Sequence, residues 1–447
     1  MADVTTESEP QLKRVIGPGL LLLFVVGDII GTGVYALTGT VAGRIGGALW
    51  LPFLLAFAVA FVTAFSYLEL VGKYPRAAGA ALYTHKAFGI QFLTFMVAFT
   101  VMSSGLTSAA SAAQAFGGTY LKQLLGGSLV VPAAVIAVGF MLLLAAINLR
   151  GVAESVWANV VLTLIELSGL LIIIVVGVYA IAEGKGDPAR LTEIDTAAQA
   201  PWLAISSATA LAFFAMVGFE DSVNMAEECR EPVRIFPKAM LTGMGVAALI
   251  YVLVAVTSSL LVPSDELAAA KSGALLKVLT AGAPGFPLWV FALIGLLAVI
   301  NSALINMLMA SRLVYGMANE GIIPRAFGTV HPFRRTPWVS IGFTTLIAVV
   351  LVSTVDITVL GGTTSLLLLV VFTVVNVAVL VLRRDPVEHA HFRAPTALPV
   401  VGAVTCAFLA SPVSGRPARE YGIAAILLAV GVLLWGVNQL IVRRGER

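Results

Sequence analysis

Three acidic residues lie where a chain of this kind would be expected to carry none. Asp28, Glu166 and Glu220 each fall inside a long apolar run. An aspartate at the centre of a bilayer costs about 2.5–3.5 kcal/mol on insertion scales, so such groups mark substrate, ion or proton pathways. Two of the three sit in stretches that are also broken. GDIIGTGVYALTG (27–39) holds four glycines and two threonines, and LAFFAMVGFEDSVNMAEE (211–228) meets Gly218, Glu220 and Asp221 before its apolar run has crossed. Glycine admits torsions that other residues resist, so both stretches can unwind. N–H groups freed at a half-helix N-terminus carry partial positive charge and favour a carboxylate. The C=O groups freed at the other end suit an ammonium group or a metal cation. A zwitterion supplies both charges. The competing reading of Gly27, Gly31 and Gly33 is close helix packing through small residues.

The elements that hold these residues follow from composition. Of 447 residues, 59% are hydrophobic and 11% charged, against about 25% charged in soluble domains. With a mean hydropathy of +0.99, the surface must face lipid. A bilayer core needs about 20 apolar residues per helix. That ruler predicts twelve spans, near 16–43, 47–71, 89–117, 130–149, 155–182, 200–226, 237–262, 285–317, 337–355, 361–382, 396–412 and 421–442. The eleventh is crowded by Pro395, Pro399 and Pro412. With the N-terminus inside, 19 of the 27 Lys and Arg fall in inside segments, which favours twelve spans with both ends cytoplasmic. The polar stretch 1–14 reads as a retained cytoplasmic tail rather than part of a signal peptide. Basic residues are scattered, so nucleic-acid binding has no footprint. Cys229 and Cys406 have no CxxC or Cys/His spacing, and the loop histidines, including the HAH at 389–391, are too sparse for a metal site. No cofactor is expected.

The two breaks occupy the first and sixth spans. Unwound segments at corresponding places in two five-helix halves point to an inverted-repeat transporter. Because five is odd, the second half enters from the opposite face, and the breaks meet near the midplane.

Four stretches, in order, resemble the amino acid–polyamine–organocation (APC) transporters. GDIIGTGVYALTG is similar to the first-helix motif of that family, and SYLELVGKYPRAAGAALYTHKAFG (66–89) to its motif after the second helix. FFAMVGFEDSVNMAEECREPVRIFPKAM (213–240) and NSALINMLMASRLVYGMANEGIIP (301–324) resemble its sixth- and eighth-helix signatures. The resemblance implies an all-α polytopic membrane protein: a LeuT-like 5+5 inverted repeat over 15–182 and 200–382, followed by two helices over 396–442. It implies alternating-access transport of amino acids or related amines across the cytoplasmic membrane. Carried over by residue, the substrate carboxylate meets Thr32 and Gly33, with Gly31 shaping the turn. The amine meets carbonyls around Ile29, Phe214, Ala215 and Val217, with Phe214 placed to cover the substrate. Glu220 becomes a gating or proton-sensing acid. Glu227 and Glu228 become cytoplasmic latches that pair with Lys73 or Arg76; the alternative is a solvated face of ordinary ion pairs.

Two acids depart from the family pattern. Glu166 stands where sodium-independent members can carry a lysine. A buried carboxyl favours its protonated form, and the resemblance to bacterial members that are often proton-coupled makes proton coupling the first expectation. Direct sodium ligation and a structural hydrogen bond to a neighbouring helix are the alternatives. Asp28 stands where the family usually has a small or amide residue. It can contact an amine, titrate, or pair with Asn301 or Asn306. The GVYALTG pattern together with Asp28 leans toward a cationic amino acid or polyamine antiporter, whereas the neutral-looking sixth span suits small neutral amino acids. An ion channel would share the composition but would not need two matching breaks. A membrane enzyme is disfavoured, because HExxH, GxSxG and phosphate-loop patterns do not occur.

Overall fold

The computed structural model describes residues 16–75, 79–126, 131–150, 156–195 and 200–445. Among these residues all regular structure is helical, with one isolated bridge between Ile16 and Cys229. Among the described residues, ten helical segments are long and apolar enough to cross a membrane. The remaining two expected spans, the ninth and eleventh, are the shorter apolar helices Trp338–Thr354 and Ala397–Ala410.

Helix α1 (Pro18–Ile30) starts with proline in its first turn, where a missing N–H costs nothing. It stops at Gly31, whose ψ of −140° no helix tolerates, and α2 (Thr32–Ile45) resumes at once. Next come α3 (Trp50–Lys73), α4 (Gly79–Phe88) and α5 (Gln91–Ala115); a π-turn at Phe116–Tyr120 joins α5 to α6 (Leu121–Leu124). Helices α7 (Ala133–Arg150) and α8 (Val156–Ala182) complete the first half of the chain.

The sixth span departs most from a helix. Helix α9 (Pro201–Ala212) gives way to a 3-10 turn at Phe213–Met216, then to Gly218 at φ 124°, then to a 3-10 run over Asp221–Glu228. Runs of that type seldom exceed 3–4 residues. The break therefore begins five residues before the glycine that announces it. Helices α10 (Pro232–Leu261), α11 (Ser264–Ala270), α12 (Ala274–Gly282) and α13 (Leu288–Asn319) follow. The chain closes with α14 (Trp338–Thr354), α15 (Ile357–Leu382), α16 (Ala397–Ala410) and α17 (Ala418–Gly445).

The bundle has a proximal face, where α1 begins, and a distal face, where α2 ends. Its core is one contiguous apolar cluster that includes Ile29, Ile30, Phe213, Phe214, Phe291 and Phe372. Buried ion clusters fix α15 at both ends. On the proximal face Arg383 donates to both carboxylate oxygens of Glu69, at 2.8 and 2.7 Å, and Glu69 also accepts the Ala394 N–H at 2.9 Å. On the distal face Arg416 and Arg44 share the fully buried Glu420. The start of α1 is clamped to the end of the sixth span, because the Ile16 N–H donates to the Glu228 carbonyl and the Arg230 N–H to the Ile16 carbonyl, both at 3.0 Å.

Candidate functional site

The two interruptions face each other. A Cβ on Gly33 would lie 2.5 Å from the Ala215 Cα, and one on Gly218 would lie 2.6 Å from the Asp28 carbonyl oxygen. Only hydrogen atoms let these backbones approach so closely. The structure thus brings Asp28, Ile29, Gly31, Thr32 and Gly33 together with Ala215, Val217 and Gly218. Phe214 is buried in the 3-10 turn between them.

Backbone and side-chain groups released by the first break are divided between partners and vacancies. The Ile29 carbonyl, expected to meet an amine, accepts the Tyr251 hydroxyl of α10 at 2.5 Å. The hydroxyl of Thr32 is buried without a hydrogen-bond partner among the described residues. A buried hydroxyl left this way costs about 1–3 kcal/mol, which a bound polar group would return. Gly31 lies against the Ser302 hydroxyl of α13, to which a Cβ would come within 3.3 Å.

Glu166 is fully buried on α8. The side-chain N–H of Asn301 on α13 donates to its Oε1 at 3.1 Å, and its Oε2 has no hydrogen-bond partner among the described residues. One turn earlier on the same helix, Thr163 packs against Gly27 of α1. The Tyr35 hydroxyl on α2 donates to the Glu166 backbone carbonyl at 2.5 Å, and Tyr120 donates to the Tyr35 carbonyl at 2.7 Å. This acid therefore sits at the junction of both halves of the first span with α8 and α13. The Asn301 hydrogen bond is thus made to Glu166, while Asn306 donates to Ser302 and Ser108.

Glu220 turns back on the break. Its Oε2 accepts the Gly218 N–H at 2.8 Å, which satisfies a donor that the unwound backbone would otherwise leave bare. The neighbouring Phe219 ring meets Tyr67 edge-on at 5.7 Å. Val217, Glu220 and Asp221 line a cavity of about 450 Å³. It runs between α5 and α13, past Ser104, Ser108 and Asn306, toward Arg312 and Glu320 on the proximal face.

The expected gate residues are placed differently from one another. The Lys73 ammonium, on buried α3 backbone, is held by the carbonyls of Leu382 and Asp385 at the end of α15. The Tyr74 hydroxyl beside it donates to the Asp385 carboxylate at 2.9 Å, and burial together with that bond pushes the phenol up to about 12. Glu228 contributes its backbone carbonyl to the clamp on Ile16. Arg76 and the tail 1–14 lie outside the described residues, as does the side chain of Glu227.

Sequence reasoning did not single out Tyr251 or Tyr35 as site residues. Tyr35 is the aromatic of GVYALTG, so a signal for it was present. Tyr251 lies in an unbroken apolar helix and carried none.

Comparison with known proteins gives these features a setting. Over 444 residues the chain is 27% identical to a methylthioribose transporter of Bacillus subtilis (strain 168), covering 95% of this chain and 93% of that one. A branched-chain amino acid permease of the same organism is 25% identical over 426 residues, covering 90% and 89%. The cationic amino acid transporter 4 of Mus musculus is 29% identical over 393 residues, covering 84% and 60%. With its apolar helices, this is a multi-pass membrane protein, and the family profile matches residues 20–435. The chain belongs to the amino acid permease family.

Proposed function

We propose that the protein is a secondary active carrier that moves amino acids across the cytoplasmic membrane by alternating access, with protons as the coupling ion. The observation that carries this reading is the contact of the two breaks through Gly33 and Gly218, with a cavity that runs from Val217 and Glu220 of the sixth-span break toward the proximal face. In this reading the chain has twelve spans, arranged as repeats over 15–182 and 200–382 and followed by helices over 396–442. Both ends are cytoplasmic, so the proximal face is the inner one.

The substrate carboxylate is received by the N–H groups at the start of α2 and by the unpartnered Thr32 hydroxyl, where the helix N-terminus favours an anion. The amine is received by carbonyls of Ile29, Ala215 and Val217, with Phe214 closing over the apolar part. A carbonyl oxygen has two lone pairs, so the Tyr251 bond leaves Ile29 one to offer. Glu166 is the proton carrier. Its free Oε2 gives a proton a place to reside, and its contact with α13 gives protonation a way to alter packing against the first span. Glu220 reads the state of the sixth-span break through the Gly218 N–H. Glu227 and Glu228 act at the inner gate with Arg76, while Lys73 is committed to α15.

Labelled amino acid counterflow in proteoliposomes tests the carrier. Substrate-specific exchange supports it, and a steady conductance without exchange refutes it. Replacing sodium by choline distinguishes the ions, because sodium-dependent exchange would make Glu166 a sodium ligand instead. The cationic transporter among the relatives, together with Asp28, favours including cationic amino acids and polyamines in the substrate panel beside branched-chain ones.

A further inference from the structure

On the distal face, Arg44 meets Arg416 and Glu420, which lie four residues apart far along the chain, in a buried cluster that the transport reading above does not use. Arg416, in the connection between α16 and α17, is fully buried, and its guanidinium has every N–H satisfied. Nε donates to the Leu409 carbonyl (2.7 Å), Nη1 to the Gly362 carbonyl (2.8 Å) and Glu420 (2.7 Å), and Nη2 to the Ala210 carbonyl (3.0 Å) and the Ser365 hydroxyl (2.8 Å). Ala210 lies in the last turn of α9, where carbonyls lose their helical partners and a cation is favoured. Arg44 occupies the last turn of α2. It donates to the Ser207 carbonyl of α9 at 3.0 Å and to the second oxygen of Glu420 at 2.6 Å. Glu420 stands in the first turn of α17, the end that favours an acid. Gly362 is bare of a Cβ where that carboxylate lies.

We infer that Arg44, Glu420 and Arg416 form a latch that keeps the distal face shut by tying the distal halves of both broken spans to α17. The inference rests on the alternating-access reading. In this structure the cavity's lining reaches Arg312 and Glu320 on the opposite, proximal face, as a latch engaged on the distal face requires. Its two edges are unequal. Arg416 is enclosed by acceptors from α9, α15 and α16, whereas Arg44 makes two bonds and its side chain remains 12% exposed. The Arg44–Glu420 edge is therefore the one that parts when α2 swings away, and α17 serves as the fixed post although it lies outside the proposed repeats.

Thiol labelling by a membrane-impermeant maleimide, applied to right-side-out and inside-out vesicles, tests this. Thr40→Cys on α2 reports the distal face, and Met309→Cys, which lines the cavity, reports the proximal one. Arg44→Gln should raise Thr40→Cys labelling about tenfold, the scale of one lost charge-assisted bond to a buried carboxylate, and lower Met309→Cys labelling. Glu420→Gln should give the same reversal, and Arg44→Gln decides alone if Glu420→Gln fails to insert. Unchanged rates at both reporters overturn the latch, and so does a rise at both, which is general loosening. Counterflow by the parent protein tests the carrier separately. A parent that exchanges amino acids, with no reversal in Arg44→Gln, keeps the carrier and loses the latch.

Discussion

Replacing Gly218 by alanine should damage transport more than any other single methyl group added to the sixth span. The residue adopts φ 124°, a region in which a side chain costs about 1–3 kcal/mol. Its Cβ would also stand 2.6 Å from the Asp28 oxygen, 2.7 Å from the Asp28 carbonyl carbon and 3.0 Å from the Ile29 nitrogen. Comfortable carbon contacts begin near ~3.5 Å, so the two breaks must separate by roughly 1 Å. Overpacking of that kind costs about 1–3 kcal/mol, and because the obstacle is backbone it cannot be relieved by a rotamer change. The combined penalty is about 2–6 kcal/mol, delivered at the point where the half-helices meet. Thermal unfolding in detergent and counterflow in proteoliposomes measure the two consequences, a lowered midpoint and lost exchange. Gly245→Ala in α10 is the control. Its Cβ meets nothing within 4 Å, so the helix gains about 0.5–1 kcal/mol. A Gly218→Ala protein with the parent's midpoint and exchange rate would refute the facing-break geometry.

Other outcomes follow from the buried charges. Glu166→Gln and Asp28→Asn should each shift or abolish the pH dependence of uptake while sparing membrane insertion; unchanged uptake-versus-pH curves in both variants would sink the proton role. Glu69→Gln should lower the unfolding midpoint by the equivalent of about 3–5 kcal/mol, because it leaves the Arg383 guanidinium buried without its carboxylate. Adding Arg383→Met to it should recover part of that loss, and a double variant no better than the single would count against the pairing. Cys229 is buried beneath the Ile16 bridge, and burial, with Glu228 nearby, pushes its thiol up to about 12. It should therefore resist maleimide at pH 8 and react as the bridge opens; fast labelling at pH 8 of a Cys406→Ser protein, in which Cys229 is the remaining thiol, would contradict the clamp.

The local interruptions were legible because glycine and intramembrane acids leave a mark within a few residues. Gly31 and Gly218 are breaks both in the sequence and in the structure. The extent of the second break was not legible. Phe213–Met216 is apolar and unremarkable in composition, and it unwinds where an acceptor at the end of α9, the Ala210 carbonyl, is met from elsewhere in the chain, by both Ser365 and Arg416. Partnership across the bundle leaves no local mark either. Arg44 and Arg416 counted in the sequence as two of a few basic residues on the outer loops, yet they share a buried carboxylate. Lys73 shows the converse: its position after the second span suggested a gate, but its ammonium is spent on carbonyls at the end of α15. The short ninth and eleventh segments mark the limit of a length rule: α14, with 17 residues, and α16, with 14, are apolar but fall at or below the short end of the usual range of about 17–25 residues, so composition rather than length identifies them.

The small bridge at Ile16 couples parts that the chain order keeps apart. Two backbone hydrogen bonds join the residue just ahead of α1 to the stretch that closes the sixth span. Force applied ahead of Ile16, by a fused domain or by adsorption to a surface, is thus shared with residues 228–230 before it reaches the break at Gly31. The leading strand of the polypeptide is geared to the far span. A tag placed there loads both broken helices through the proximal clamp, whereas one placed after α17 reaches them only through the distal Glu420 cluster.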